Sequence, residues 1–183
     1  MNSKPQILNV KTVAQSRLFR IEQVDLRFSN GVEAAYERLQ GAADGAVLIV
    51  PVREDGAVLL VREYAVGVER YELGLPKGRI EPGEDILTTA NRELMEELGV
   101  AARRLTPLGA LTVAPGYFGH VTHVVLAEDL YPQQRDGDEP EPVEVVPWRL
   151  EALADLLLRE DFSEARSIAA LFMVRERLND NDG

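Results

Sequence analysis

The chain has 183 residues, long enough for one domain with a real core and a small appended unit. Apolar residues make up 45% and charged residues 28%, with a formal net charge of −11, so a general DNA- or RNA-binding role is disfavoured. There is no cysteine, which excludes disulfides, thiolate metal sites and a cysteine nucleophile. The only histidines are His120 and His123, both read as structural residues of a strand. Any bound metal is therefore expected to be a hard, oxygen-liganded ion such as Mg²⁺ or Mn²⁺. No apolar run reaches the roughly 18 residues of a membrane span. The opening MNSKPQILNV carries no apolar signal-peptide core. A cytoplasmic protein is expected, with no membrane partner.

In chain order, residues 7–40 read as a β meander. The run VDLRFSNGVEAAYER alternates apolar and polar residues on either side of Ser29-Asn30-Gly31, a strong hairpin signal. The meander has no helix to cover it, so it must pack on the rest of the chain or on a partner. LQGAADG (39–45) reads as a linker. AVLIVPV and AVLLVREY are central strands joined by the turn REDG, and YELGLPKG (71–78) is a short strand ending at glycine. A helix is predicted over residues 86–98. LTPLGALTVAP (105–115) and HVTHVVLAEDL (120–130) are further strands. QQRDGDEPEPVE (133–144) is an acidic loop, followed by the short strand VEVVPWRL. LEALADLLLRE and SEARSIAALFMVRERL read as amphipathic helices, and NDNDG as a frayed tail. Trp148 is assigned to the core. Ile168, Leu171 and Phe172, at helical spacing, form an apolar face for core or dimer contact.

The helix over 86–98 poses the central question. Glu81-Pro82-Gly83-Glu84 is a turn by composition, Asp85 a good N-cap and Gly99 a C-terminal stop. At about 100° per residue, Leu87, Ala90, Leu94 and Leu98 form an apolar stripe. Glu93 and Glu97 stack at the edge of that stripe, with Glu96 further round beside Arg92. A partly desolvated carboxylate pair is unfavourable unless a cation or a shared proton neutralises it. A divalent ion held by two carboxylates and phosphate oxygens answers that need. Arg92 is within reach of Glu96, or of Glu84 in the preceding loop.

The spacing is unusually complete. Gly78, Glu84, Arg92-Glu93-Leu94, Glu96-Glu97 and Gly99-Val100 match G-x5-E-x7-R-E-U-x-E-E-x-G-U, with U aliphatic, at every fixed position. This is the Nudix box, and the chain resembles a Nudix hydrolase. The resemblance implies an α/β/α sandwich with a mixed sheet, here preceded by a small antiparallel meander. The corresponding division is 1–44 for the meander, on the dimerisation and adenine side, and 45–183 for the hydrolase domain. It also implies Mg²⁺ or Mn²⁺, more than one ion per site, and hydrolysis of a nucleoside diphosphate linked to another group. Carried onto this sequence, Glu93 and Glu97 are the main metal ligands. Glu96 contributes directly or through water, and the backbone carbonyl of Lys77 joins the shell. Gly78, Glu84 and Arg92 orient the loop.

The long meander and Pro115, sixteen residues beyond Gly99, resemble the ADP-ribose pyrophosphatase branch, whose members are homodimers. Tyr117 sits where dinucleoside-polyphosphate hydrolases tend to carry tyrosine. FSNGVEAAYER, REYAVGVERYELGLPKG, APGYF and FSEARSIAALFMVRE together resemble family members that act on ADP compounds. The implied substrates are ADP-ribose, NADH and diadenosine polyphosphates, cleaved to AMP and a second phosphate. The branch places its catalytic base in a D-E-x-E loop, which Asp138-Glu139-Pro140-Glu141 fits. Glu139 is the candidate base, and Glu141 a second choice or an added metal ligand.

Two features depart from the branch. Its Q-x-R element is VREYAV here, which leaves Arg62, Arg70 or Lys77 to bind phosphate. LPKG replaces the usual Ala-Gly before the box. Tyr117 and Phe118 line the substrate pocket or pack at a strand end. Phe28 and Tyr36 stack on adenine or serve core and dimer packing. The alternatives to the leading function are a sanitiser of nucleoside triphosphates and a non-catalytic sensor of ADP-ribose-like ligands. The meander and Pro115 argue against the first, and the intact box glutamates against the second.

Overall fold

The computed structural model describes residues 3–41, 44–137 and 140–179. Three antiparallel strands open the chain: β1 (Gln6–Gln15), β2 (Arg20–Arg27) and β3 (Glu33–Leu39), with β2 in the middle. The hairpin forms at the expected turn. Phe28 N–H donates to the Val32 carbonyl at 2.9 Å, and Gly31 has φ +83°, a conformation that side-chain-bearing residues rarely adopt. Every residue of β1 is exposed, whereas β2 buries Glu22 and Val24.

The chain divides into two compact units, Met1–Ala43 with Thr112–Val121, and Asp44–Leu111 with Thr122–Gly183. Within the first unit, backbone pairing ties the later segment to the meander. Leu39 N–H donates to the Tyr117 carbonyl at 2.7 Å, and Gly119 N–H to the Leu39 carbonyl at 3.1 Å.

The second unit contains β4 (Ala46–Pro51), β5 (Ala57–Ala65), β6 (Arg70–Gly74), β7 (Lys77–Arg79) and the helix α1 (Ile86–Glu97). These are followed by β8 (Val100–Thr112), β9 (Val121–Pro132) and β10 (Glu144–Arg149). A 3₁₀ turn (Leu150–Ala152) and the helices α2 (Leu153–Leu156) and α3 (Ala165–Asn179) complete it. One sheet has the order β7-β4-β9-β8 and is mixed, with β4 parallel to β9 and antiparallel to β7. The other is β10-β5-β6, antiparallel throughout.

The strand alternation of β4 and β9 sorts the core into two layers. Val47, Ile49, Val125 and Ala127 pack with Ala90 and Leu94 of α1. Leu48, Val50, Val124 and Leu126 pack with Ala170, Leu171 and Val174 of α3. This is the α/β/α sandwich expected from the resemblance. Trp148, Ile168 and Phe172 pack against the second cluster, as core residues should.

Three local expectations change. The strand over 71–78 is two strands in different sheets. Pro76 has no N–H to continue pairing; instead its carbonyl accepts from Ile49 N–H at 2.9 Å, and Leu75 N–H donates to Ser167 Oγ at 3.0 Å. Leu87 is exposed, while Ile86 and Leu98, at opposite ends of the helix, each pack against the core cluster that holds Ala90 and Leu94. The helix expected over LEALADLLLRE shrinks to one 3₁₀ turn and four residues of α2, with Leu158 left 84% exposed.

Candidate catalytic site

The box helix is positioned by its ends. Asp85 is extended and its Oδ1 accepts from Thr88 N–H at 2.7 Å, which caps α1 and holds the carboxyl below the usual range. Leu98 closes the helix and Gly99 follows at φ +67°. The chain thus turns straight from the box into β8.

Arg92 is the hub that joins loop to helix. Its Nε donates to Glu84 Oε1 at 3.0 Å and its Nη2 to the Arg79 carbonyl at 2.9 Å. Its Nη1 donates to Glu93 Oε1 at 2.6 Å and to Glu96 Oε2 at 2.9 Å. Both partners named from the sequence, Glu84 and Glu96, are therefore engaged. These contacts raise the Arg92 pKa, and the guanidinium stays charged. The same contact, aided by a 2.9 Å bond from Thr89 Oγ1, depresses the Glu84 pKa.

Glu93 and Glu97 are buried, 8% and 7% exposed, so the edge position read from the helical wheel brings both carboxylates inside. Gly78 lies against Glu93 so closely that a Cβ at that position would collide with the carboxylate. The glycine serves close approach here. Glu97 Oε1 accepts from Lys77 N–H at 3.3 Å, while Oε2 is buried without a hydrogen-bond partner. Burial first, then the charge of Glu63 and that of Glu93, pushes the Glu97 pKa up to about 8 against the opposing pull of Lys77.

This donor set fits a hard divalent cation: two buried carboxylates, one with an orphaned oxygen, and no nitrogen or sulfur ligand. Among the described residues no three His, Cys, Asp or Glu side chains are already gathered around one point. One guanidinium nitrogen of Arg92 contacts both Glu93 and Glu96. Arg135 adds a second cation on Glu96, at 3.2 Å from Oε1.

The remaining sequence candidates fall in several places. Lys77 reaches Glu97 through its backbone N–H, and its ammonium pairs with Glu63. Arg62 is tied to Asp161 at 2.6 Å and to Glu144 at 3.0 Å, and Arg70 to Glu72 and Ser163. Glu141 accepts from Tyr71 O–H at 2.6 Å. Glu139 and Asp138 lie outside the described residues.

In the first unit, Pro115, Tyr117 and Phe118 line a cavity of about 400 Å³ together with Tyr36 and Arg38. Phe28 is not among its lining residues; it packs against Tyr36 with ring centroids 6.3 Å apart. Phe118 stacks on His120 at 5.4 Å.

Sequence reasoning missed Glu63, Thr89 and the Tyr64–Tyr71 pair, whose rings meet edge to face at 5.5 Å. Thr89 sits inside the box, but on the wheel it lies about 145° from the centre of the apolar stripe, so its burial was not legible there. Glu63 stands on β5, and only the fold brings it to the box helix.

Residues 5–38 match the family model of the NudE-type Nudix hydrolase N-terminal domain, and residues 43–172 match that of the NUDIX domain. The chain is 55% identical over 175 residues to the ADP compounds hydrolase NudE of Escherichia coli (strain K12), spanning 96% of this chain and 94% of that protein. It is 32% identical over 171 residues to an ADP-ribose pyrophosphatase of Bacillus subtilis (strain 168), with 90% and 91% covered. A crystal structure described as an ADP compounds hydrolase superposes with a TM-score of 0.91 at 54% identity, covering 98% of this chain and 96% of that one.

Proposed function

Because the chain belongs to the Nudix hydrolase family, we propose that it hydrolyses the pyrophosphate link of ADP-linked compounds: ADP-ribose, NADH and diadenosine polyphosphates. The products are AMP and a second phosphate. The observation that carries the chemistry is Glu97, a buried carboxylate with an unpartnered oxygen beside buried Glu93.

Enzymes of this family generally depend on divalent metal. Glu93 and Glu97 would hold it here, with Glu96 and the Lys77 carbonyl as further ligands. Mg²⁺ or Mn²⁺ suits the all-oxygen set, with more than one ion per site. A metal so bound offsets the pyrophosphate charge, polarises phosphorus and lowers the pKa of bound water.

The chain's own residues do the rest. Arg92 and Glu84 lock the loop against α1, so that Gly78 and Glu93 keep their close approach. Glu139, with Glu141 as the second choice, takes the proton of the attacking water, which requires an approach to about 3 Å. Arg62, Arg70 and Lys77 are the cations available to the phosphates. Phe28, Pro115, Tyr117 and Phe118 serve the adenine side, together with the meander of residues 1–44. The protein acts as a cytoplasmic homodimer and binds no nucleic acid. Among the described residues no helix is long and apolar enough to cross a membrane.

Product analysis tests this reading. Wild type and Glu97→Gln are incubated in Mg²⁺ with ADP-ribose, NADH, diadenosine triphosphate, and normal and oxidised dGTP. AMP from the ADP-linked compounds, lost in the variant, supports the assignment. Turnover confined to the triphosphates points to a nucleotide sanitiser. Tight ADP-ribose binding without turnover of anything points to a sensor.

A further inference from the structure

Three cations of the second unit are candidates to meet the substrate phosphates, and their surroundings separate them. The Arg62 guanidinium is held by two carboxylates, Asp161 and Glu144, and Asp161 is further tied to Arg159 at 2.8 Å. Arg70 is paired with Glu72 beside Ser163, and it is those two residues, not Arg70, that line the cavity Lys77 lines. Lys77 differs from both. Its backbone N–H faces Glu97, and its ammonium pairs with Glu63.

Glu63 and Lys77 both line a cavity of about 370 Å³, walled further by Tyr64, Gly74 and Ser163. Glu63 also lines an adjoining cavity of about 190 Å³ that contains Glu141. The pair therefore stands where the box carboxylates, the acidic loop and the larger cavity meet. Glu63 and Lys77 each bear electrostatically on Glu97, in opposite directions.

We propose that the Lys77 ammonium is the cation that binds the substrate pyrophosphate, and that Glu63 holds it at the cavity until substrate takes it over. This rests on the pyrophosphatase reading of the same site. An ammonium on a four-carbon stem is a mobile point charge, whereas a guanidinium clamped by two carboxylates is not. The side chains of Lys77 and Glu63 are 33% and 26% exposed. A pair still reached by water is weakly bound and easily exchanged. A diphosphate offers more negative charge than the single carboxylate it replaces, so the exchange favours substrate.

Calorimetry of ADP and adenosine binding in Mg²⁺ tests the assignment on wild type, Lys77→Met, Lys77→Arg and Glu63→Gln. The methionine keeps the stem and removes the charge. It should weaken ADP about 10-fold or more, with adenosine affinity unchanged, and Lys77→Arg should recover most of the loss. Glu63→Gln should bind ADP as tightly as wild type or more so. Unchanged ADP affinity in Lys77→Met, or no ADP binding by wild type, overturns the proposal. Equal weakening of ADP by Glu63→Gln also overturns it, by making the pair a structural one. If wild type fails to hydrolyse ADP-ribose, the proposed activity falls, while the ADP-to-adenosine ratio still decides the role of Lys77.

Discussion

Glu97 sets a stability cost against a function. Its carboxylate is buried with one oxygen unpartnered, and burial with neighbouring Glu63 and Glu93 raises its pKa to about 8. An unfolded glutamate titrates near about 4.3. The folded state therefore retains a proton that the unfolded chain has lost between those values. Stability is greatest below the unfolded pKa and falls as pH rises towards 8. In a chelating buffer, Glu97→Gln should melt above wild type at pH 8, with the gap closing towards pH 5; thermal melts across that range check it. The same variant should lose at least about 100-fold in turnover, more than a disturbed outer partner of a metal ligand costs. Gly78→Ala should separate activity from stability differently. The new methyl collides with the flexible end of Glu93, so the side chain yields and the fold survives. Turnover should drop at least about 10-fold with a melting temperature near wild type. At this scale the box was readable because its residues are neighbours on one turn-and-helix segment. Glu63 and Arg135 were not, since no local spacing links them to Glu97 and Glu96.

Among the elements, α1 was legible end to end because its start, stop and buried face are all local signals. Asp85 caps it and Gly99 ends it as composition dictates, and only Leu87 falls off the expected face. The strand over 71–78 was misjudged because the switch of sheet at Leu75-Pro76 depends on Ile49 and Ser167, far away in sequence. The segment before α3 was overextended as helix. There the chain instead turns to place Asp161 between Arg159 and Arg62. Those two cations, Arg159 foremost, hold the Asp161 carboxyl down to about 2. A carboxylate depressed below its unfolded value of about 3.9 contributes stability above that value and loses it as pH falls towards 2. Asp161 is 24% exposed, so solvent screens part of the effect. Acid denaturation followed by circular dichroism should show Asp161→Asn less stable than wild type at pH 7, with the difference shrinking between pH 4 and 2.

For the molecule as a whole, the meander is the part whose partners composition alone left open. β1 exposes all ten of its residues, including Ile7, Val10 and Val13. Apolar residues clustered on an uncovered strand mark an association surface, and a homodimer is the occupant proposed above. Sedimentation equilibrium should give a dimer for wild type and a folded monomer for Val10→Lys with Val13→Lys. The net charge of −11 sets the electrostatic frame: an anionic chain attracts an anionic substrate only where local cations reverse the field. Arg92 is committed to the box glutamates, so cations added at the site bear directly on activity. AMP release from ADP-ribose is therefore the decisive measurement, followed in Mg²⁺, after chelation and after Mg²⁺ is returned. Metal-dependent hydrolysis of the pyrophosphate link requires AMP and ribose 5-phosphate in equal amounts, abolished by the chelator and restored with the ion. AMP release that persists undiminished in chelator, or a protein that turns over nucleoside triphosphates and leaves ADP-ribose intact, would contradict it.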